Sequence, residues 1–188
     1  DASVGTKAFG DGERKPRALQ RPGTSYEDND VHINRFGQSL LRVHGQSVPD
    51  VFRREVMDVV GASNTWRWIP YHNSYVDVNA QDMARFGYLW LRGGRWGEKQ
   101  VLPPAYVKAA ISPSQHGPDY GYLWWLNTQG KNYPGLPPTA YGARGAGSNT
   151  ITILPDQDLV VVWRWHAGNE AEFVKRVVAA IKPTSMLR

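Results

Sequence analysis

The stretch running from Tyr141 to His166, Y-G-A-R-G-A-G-S-N-T-I-T-I-L-P-D-Q-D-L-V-V-V-W-R-W-H, constrains this chain more than any other. It reads as a glycine-rich approach, a strand through Ile151 and Ile153, a turn, and a second and more apolar strand. Pro155, Asp156 and Asp158 mark the turn, because a ring-locked φ and side chains that bond local backbone both favour tight reversal. Residues 159–165 are β-branched and aromatic, which predicts a buried central strand. Gly142, Gly145 and Gly147 carry no Cβ to hold another backbone or a ligand at a distance. Such a bare rim is either a bend or a binding edge.

The remaining punctuation predicts helices before the hairpin and one after it. Ile33, Phe36, Leu40 and Leu41 recur at helical spacing behind Asp30, a candidate N-cap, and Gly45 follows them. Ser47 precedes a second helix with Pro49 in its first turn and a stripe of Phe52, Val56, Val59 and Val60, stopped by Gly61. Residues 62–78 read as irregular and aromatic. A third helix begins after Asn79, turns Met83, Phe86, Trp90 and Leu91 inward, and ends at Gly93-Gly94. A small hairpin over 95–102, a short helix from Pro103-Pro104 and a strand over residues 120–127 follow. Asn169 then caps a last helix, with Glu172 three residues on and Phe173, Val177 and Ile181 along one side. Helices, then antiparallel strands, then a helix lying on them make an α+β chain: an antiparallel sheet flanked by helices, beside a partial helical lobe. The 188 residues are expected to form one domain, with residues 1–23 an extended lead-in.

Composition narrows the function classes. Eight tryptophans and 41% hydrophobic residues require a packed interior, and the net charge of +5 is scattered rather than blocked, which argues against nucleic-acid binding. No run approaches the ~20 apolar residues of a membrane-spanning helix, and no signal-peptide pattern opens the sequence. Cysteine is absent, so no thiolate holds a metal, and the five histidines lack i,i+4 partners. No cofactor is expected, since G-A-R-G-A-G has neither the lysine nor the following helix of a phosphate loop. None of the ten serines has a lysine three residues on (Ser39 has Arg42), and none sits in G-x-S-x-G.

Several segments in order resemble the penicillin-recognising serine hydrolases, which include class C β-lactamases, DD-peptidases and related esterases. They are R-P-G-T-S-Y-E-D-N-D-V-H-I-N, R-R-E-V-M-D-V-V-G-A-S-N-T-W-R-W, A-Q-D-M-A-R-F-G-Y-L-W-L-R-G-G-R-W-G, Y-G-Y-L-W-W-L-N, and Y-G-A-R-G-A-G-S-N before D-L-V-V-V. The resemblance implies a β-lactamase-like fold, incomplete at the N-terminus. It also implies hydrolysis of an ester, amide or lactam through an acyl-enzyme, on a small-molecule or peptide-like substrate, in a periplasmic or secreted setting. The family's first motif, Ser-x-x-Lys, has no counterpart here, so the chain alone is expected to be inactive. The second motif falls on Asp28, Asn29 and Asp30. Asp28 then stands where a tyrosine is usual; Tyr26 is the alternative, but the spacing from Pro22-Gly23-Thr24 favours Asp28. A phenol titrates near ~10 and a carboxylate near ~4, so Asp28 would be ionised and unable to donate a proton. The third motif falls on Ala143, Arg144 and Gly145, with the N–H of Ala146 as an oxyanion donor. Its usual cation is missing at Ala143, though Arg144 is adjacent. The glycine-rich excursion that relatives carry before A-Q-D-M-A-R-F is nearly absent between Val76 and Asn79. The reading from a different class is a non-catalytic peptide- or glycan-binding module that keeps the cleft.

Overall fold

A computed structural model describes residues 21, 23–24, 30–69 and 75–181, with only the backbone of 30–34 and 75. The lead-in over residues 1–20, Tyr26, Asp28 and Asn29 lie outside the described residues. The chain divides into two compact units, Asp1–Asn79 and Ala80–Arg188.

In the first unit, α1 (Asp30–His44) stops where Gly45 turns to φ 61° and returns its N–H to the Leu41 carbonyl at 3.0 Å. A left-handed residue costs glycine little, so the cap falls where expected. The expected inward face is not buried: Phe36 is 60% and Leu41 48% exposed. Periodicity reports amphipathicity, but burial needs an opposing surface. Helix α2 (Val48–Phe52) follows Ser47, whose side chain makes no cap bond, and then widens into a π turn over Arg53–Met57. The N–H of Asp58 reaches back five residues to Arg53 at 2.9 Å. That extra residue per turn rotates the stripe. Val60 is buried with Met57, which the expected stripe left out, while Phe52, Val56 and Val59 are only half-buried. The stretch expected to be irregular contains a hairpin, β1 (Arg67–Ile69) against β2 (Tyr75–Asp77), with Trp68 opposite Val76. Phe52 meets Trp66 and Trp68 edge-on at 5.8 and 5.9 Å.

The second unit is built on a four-stranded antiparallel sheet of β5 (Trp125–Leu126), β6 (Tyr141–Gly145), β7 (Asn149–Leu154) and β8 (Leu159–Trp163), in that order. Helix α3 (Ala80–Leu91) covers one face and α5 (Glu170–Ala180) the other. Between them in sequence come the hairpin β3 (Arg95–Trp96) and β4 (Lys99–Gln100), then α4 (Pro104–Ala110). On the α3 side, Gly87 lets the helix down onto the sheet. A Cβ there would lie 2.7 Å from Val160 and 2.8 Å from Ile151. Trp90, Trp124 and Tyr141 fill that layer, with ring centroids 4.8 and 5.3 Å apart along the chain of contacts. On the α5 side, Val174 is buried with Leu154, Val161, Tyr133, Leu136 and Ala140. Asn169 caps α5 as expected, accepting the N–H of Glu172 at 3.1 Å, while the Glu172 carboxylate pairs with Lys175 and Arg176.

Three strand expectations change. Residues 120–127 do not form one strand, because the N–H of Tyr122 bonds to the Ala110 carbonyl at 2.9 Å and Leu123 turns to φ 64°. Only Trp125 and Leu126 enter the ladder, with Tyr120 bridging back to Trp125. The last strand stops at Trp163, since Trp165 takes φ 52° and stands 71% exposed. Finally β8, expected to be central, pairs among the described residues with β7 alone and lies at the edge of the described sheet. Helices lie on both of its faces, leaving Val161 buried and its neighbours half-buried, and composition reports faces rather than neighbours within the sheet.

Candidate functional site

β6 is half inside the sheet and half at its margin. β5 opposes only Tyr141 and Gly142, whereas β7 runs alongside all five residues to Gly145. Ala143, Arg144 and Gly145 therefore have no strand partner on their outer side among the described residues. A three-residue turn then carries the chain into β7, with Gly147 at φ 71° and Ser148 at φ 54°. Asn149 donates its side-chain N–H to the Ala146 carbonyl at 2.7 Å and holds that turn shut. The three rim glycines do different things. A Cβ at Gly142 would run into the Tyr133 hydroxyl, and one at Gly147 into the Trp165 ring. Those two positions admit the chain's own aromatics; only Gly145 leaves open space, with nothing nearer than the Asn149 carbonyl at 3.7 Å.

Arg144 is drawn to the α5 face. Its Nε donates to Glu170 at 2.8 Å, and one terminal nitrogen to the Asn132 carbonyl at 2.7 Å. The guanidinium lies over the Tyr133 ring at 4.5 Å. Glu170 is 9% exposed and accepts a second bond from Thr152 at 2.7 Å, so its buried carboxylate is paired and hydrogen-bonded. Tyr133 is fully buried, and its hydroxyl has no hydrogen-bond partner among the described residues. Burial, reinforced by the nearby Glu170 charge, holds that phenol neutral well above its ordinary titration range. The loop bearing Tyr133 is pinned by Asn127, which is also fully buried. Its Nδ2 lies 3.0 to 3.1 Å from the carbonyls of Tyr133, Leu136 and Pro137, and its Oδ1 accepts the N–H of Tyr133 at 2.8 Å.

Beside this network a cleft of about 410 Å³ opens, bordered by Asn132, Arg144, Gly145, Ser148, His166 and Glu170. His166 stacks on Trp163 at 4.0 Å, and both of its ring nitrogens are buried without hydrogen-bond partners among the described residues. Among the described residues no group of three or more His, Asp or Glu could hold a metal ion. None of the described helices is long and apolar enough to cross a membrane.

Of the residues singled out from sequence, Ala143, Arg144, Gly145 and Ala146 stand together at the β6 margin and its turn. Asp28 and Asn29 lie outside the described residues, and Asp30 contributes only its backbone, as the first residue of α1. Glu170, Thr152, Asn132 and Asn127 were not foreseen. The available signal was weak: buried polar residues inside apolar runs, such as Asn127 after Y-G-Y-L-W-W-L and Thr152 between two isoleucines, usually mark hydrogen-bonded networks.

No family model matches the sequence, and no curated protein matches it. Solved structures do. A protein assigned as a 6-aminohexanoate-dimer hydrolase from Bacillus anthracis superposes with a TM-score of 0.67 at 18% identity, over 87% of this chain and 44% of its own. A β-lactamase from Mycobacterium bovis gives 0.69 at 16% identity, over 94% of this chain and 72% of its own. One assigned as a β-lactamase from Bacteroides dorei gives 0.67 at 12% identity, over 93% and 68%. The chain thus spans less than half the length of the first of these and about two thirds to three quarters of the other two. The chain's α+β fold is similar to that of these β-lactamase and hydrolase structures.

Proposed function

We propose that this chain carries the sheet and oxyanion edge of a serine hydrolase that cleaves an ester, amide or lactam bond through an acyl-enzyme. On this reading residues 1–188 belong to one hydrolase-type domain, and the attacking serine with its lysine comes from sequence outside them. The observation that carries the reading is the outer margin of β6, where among the described residues Ala143–Gly145 have no strand partner on the side away from β7, in a fold shared with β-lactamases. In such a reaction the serine oxygen adds to the substrate carbonyl carbon, and the carbonyl oxygen takes up negative charge. On this reading the backbone N–H of Ala146, in the turn that follows this margin, donates to that oxygen; loss of one such donor typically costs about 10²–10³ in rate. The leaving group departs with a proton, and water then frees the acyl group as an acid.

The side-chain part of the machinery is depleted. Asp28 would accept a proton where a phenol donates one. Arg144 does not replace the cation missing at Ala143, because its guanidinium is committed to Glu170 and Asn132. The same commitment supports the second reading, a peptide- or glycan-binding module that keeps the cleft without the chemistry. A longer product of the same gene separates the two. If it supplies Ser-x-x-Lys before Asp1, a fluorophosphonate should label that one serine stoichiometrically. A longer product without the motif, or with it and silent, rejects the hydrolase in favour of the binding module.

A further inference from the structure

The turn after β6 limits what a substrate lying on that margin can carry. Asn127 donates its N–H to the Ala140 carbonyl at 3.0 Å, so Ala140 aims its main-chain groups towards the β5 side. Facing alternates along an antiparallel strand, which puts Gly142, Arg144 and then Ala146 on that same side. β5 opposes Gly142 and goes no further, so the next outward N–H and C=O groups are those of Arg144 and Ala146. The Ala146 carbonyl is already engaged. Asn149 donates to it at 2.7 Å, while the Oδ1 of the same amide accepts the Nε–H of Arg164 at 3.2 Å, which fixes the end that faces Ala146. Past Ala146 the backbone of Gly147 lies against the Trp165 ring. Trp165 holds a left-handed φ of 52° and is 71% exposed among the described residues, with the Arg164 guanidinium 6.0 Å from its ring. Such a backbone is costly for a bulky residue and persists where its surroundings enforce it.

We infer, resting on the hydrolase reading, that the acyl group this margin accepts is aromatic and carries no N–H beside the scissile carbonyl, as in an ester of an aryl-substituted acid. With the carbonyl oxygen at the Ala146 N–H, the acyl group runs past Gly147 and meets the Trp165 ring. It stays there through both steps of the reaction, while the leaving group departs on the other side. Aromatic rings gain from stacked or edge-on contact beyond the area they bury. An N–H on the acyl group competes with Asn149 for the Ala146 carbonyl, giving up water without gaining a full partner. An ether oxygen or a methylene in its place pays no such penalty. Peptides are set aside on this ground, since every peptide acyl group carries that N–H.

This chain holds no Ser-x-x-Lys, so binding to it is read at equilibrium without turnover. Methyl (benzoyloxy)acetate and methyl hippurate differ by one group, an oxygen in the first where the second has N–H. In amide and indole NMR spectra of the 188-residue chain, both should move the signals of Ala146, Gly147 and Trp165. The oxygen compound should bind about fivefold more tightly. Trp165→Ala, at an exposed position the core does not use, should weaken both about tenfold. Asn149→Asp keeps an acceptor for Arg164 but offers the Ala146 carbonyl no donor, and should erase the preference. Equal affinities in the unaltered chain, a preference for the hippurate, or a Trp165→Ala protein that binds as before overturns the inference and leaves the hydrolase reading standing. If neither ester moves the Ala146 amide, the margin takes no carbonyl group, and the hydrolase reading falls together with the inference.

Discussion

The two faces of the four-stranded sheet are held by different physics. Under α3 the contacts are apolar: Gly87 seats the helix on Val160 and Ile151, and Trp90, Trp124, Phe86 and Tyr141 fill the layer with stacked, tilted and edge-on rings. Under α5 an apolar cluster surrounds a wired polar set, in which Glu170 joins Arg144 to Thr152 and Asn127 pins the Tyr133 loop. The first face needs volume and tolerates many sequences of similar size. The second needs particular atoms in particular places, since a buried polar group left unpaired costs far more than an apolar one. The β6 margin is thus positioned from one side by packing and from the other by hydrogen bonds.

Truncating each face should expose that difference. Trp90→Ala removes a ring that is 6% exposed and should destabilise by about 3–5 kcal/mol in denaturant unfolding. Because its indole N–H has no hydrogen-bond partner among the described residues, Trp90→Phe should recover most of the loss. Asn127→Ala deletes far less volume, yet should cost about 3 kcal/mol, by stranding the Tyr133 N–H and its neighbouring carbonyls. A loss below about 1 kcal/mol would mean that water replaces the amide, and that the two faces differ less than described.

The ion pair is the next step down. Glu170→Ala should cost about 2 kcal/mol, below the range for a fully buried pair because Arg144 is 31% exposed. Adding Arg144→Ala should recover part of that, since no cation is then left without its partner; strict additivity in the cycle would show the pair to be uncoupled. Alkaline pH gives a gentler probe. Burial holds Tyr133 and Tyr141 neutral in the fold well above their ordinary value of 10.0. Their contribution is complete below pH 10 and is lost as pH rises past the unfolded-state value, so Tm should fall above that pH. Tyr133→Phe should shallow that fall by one proton's worth. At neutral pH it should change stability by less than about 0.5 kcal/mol, as the hydroxyl it removes has no partner among the described residues to lose.

Much of this was legible in the chain, and the division follows the same line. Glycine and proline punctuation placed α3, α4, the β3–β4 hairpin and the turn before β8, because those residues act through their own backbone. The cap of α5 at Asn169 was equally local. The extent of residues 120–127 as a strand was not legible, because the Ala110 carbonyl that captures Tyr122 is distant in sequence. Nor was the edge position of β8 in the described sheet, since two covering helices give an edge strand a central strand's composition. The π turn after Phe52 and the exposure of Phe36 and Leu41 had no local signal either. At the site, the resemblance pointed to Ala143–Ala146 on the β6 margin. The network behind Arg144 joins residues from four segments, 127, 132–133, 144–152 and 170, and no spacing rule reaches across those gaps.

The central proposal is that the chain supplies the sheet and oxyanion edge of a serine hydrolase without its nucleophile, and intact-mass spectrometry tests it most directly. After incubation with a fluorophosphonate or a penicillin, the mass of the 188-residue chain should be unchanged, because none of its ten serines has the lysine that would activate it. A stoichiometric adduct mapped to a single serine would contradict the account and place a working acylation site inside this sequence.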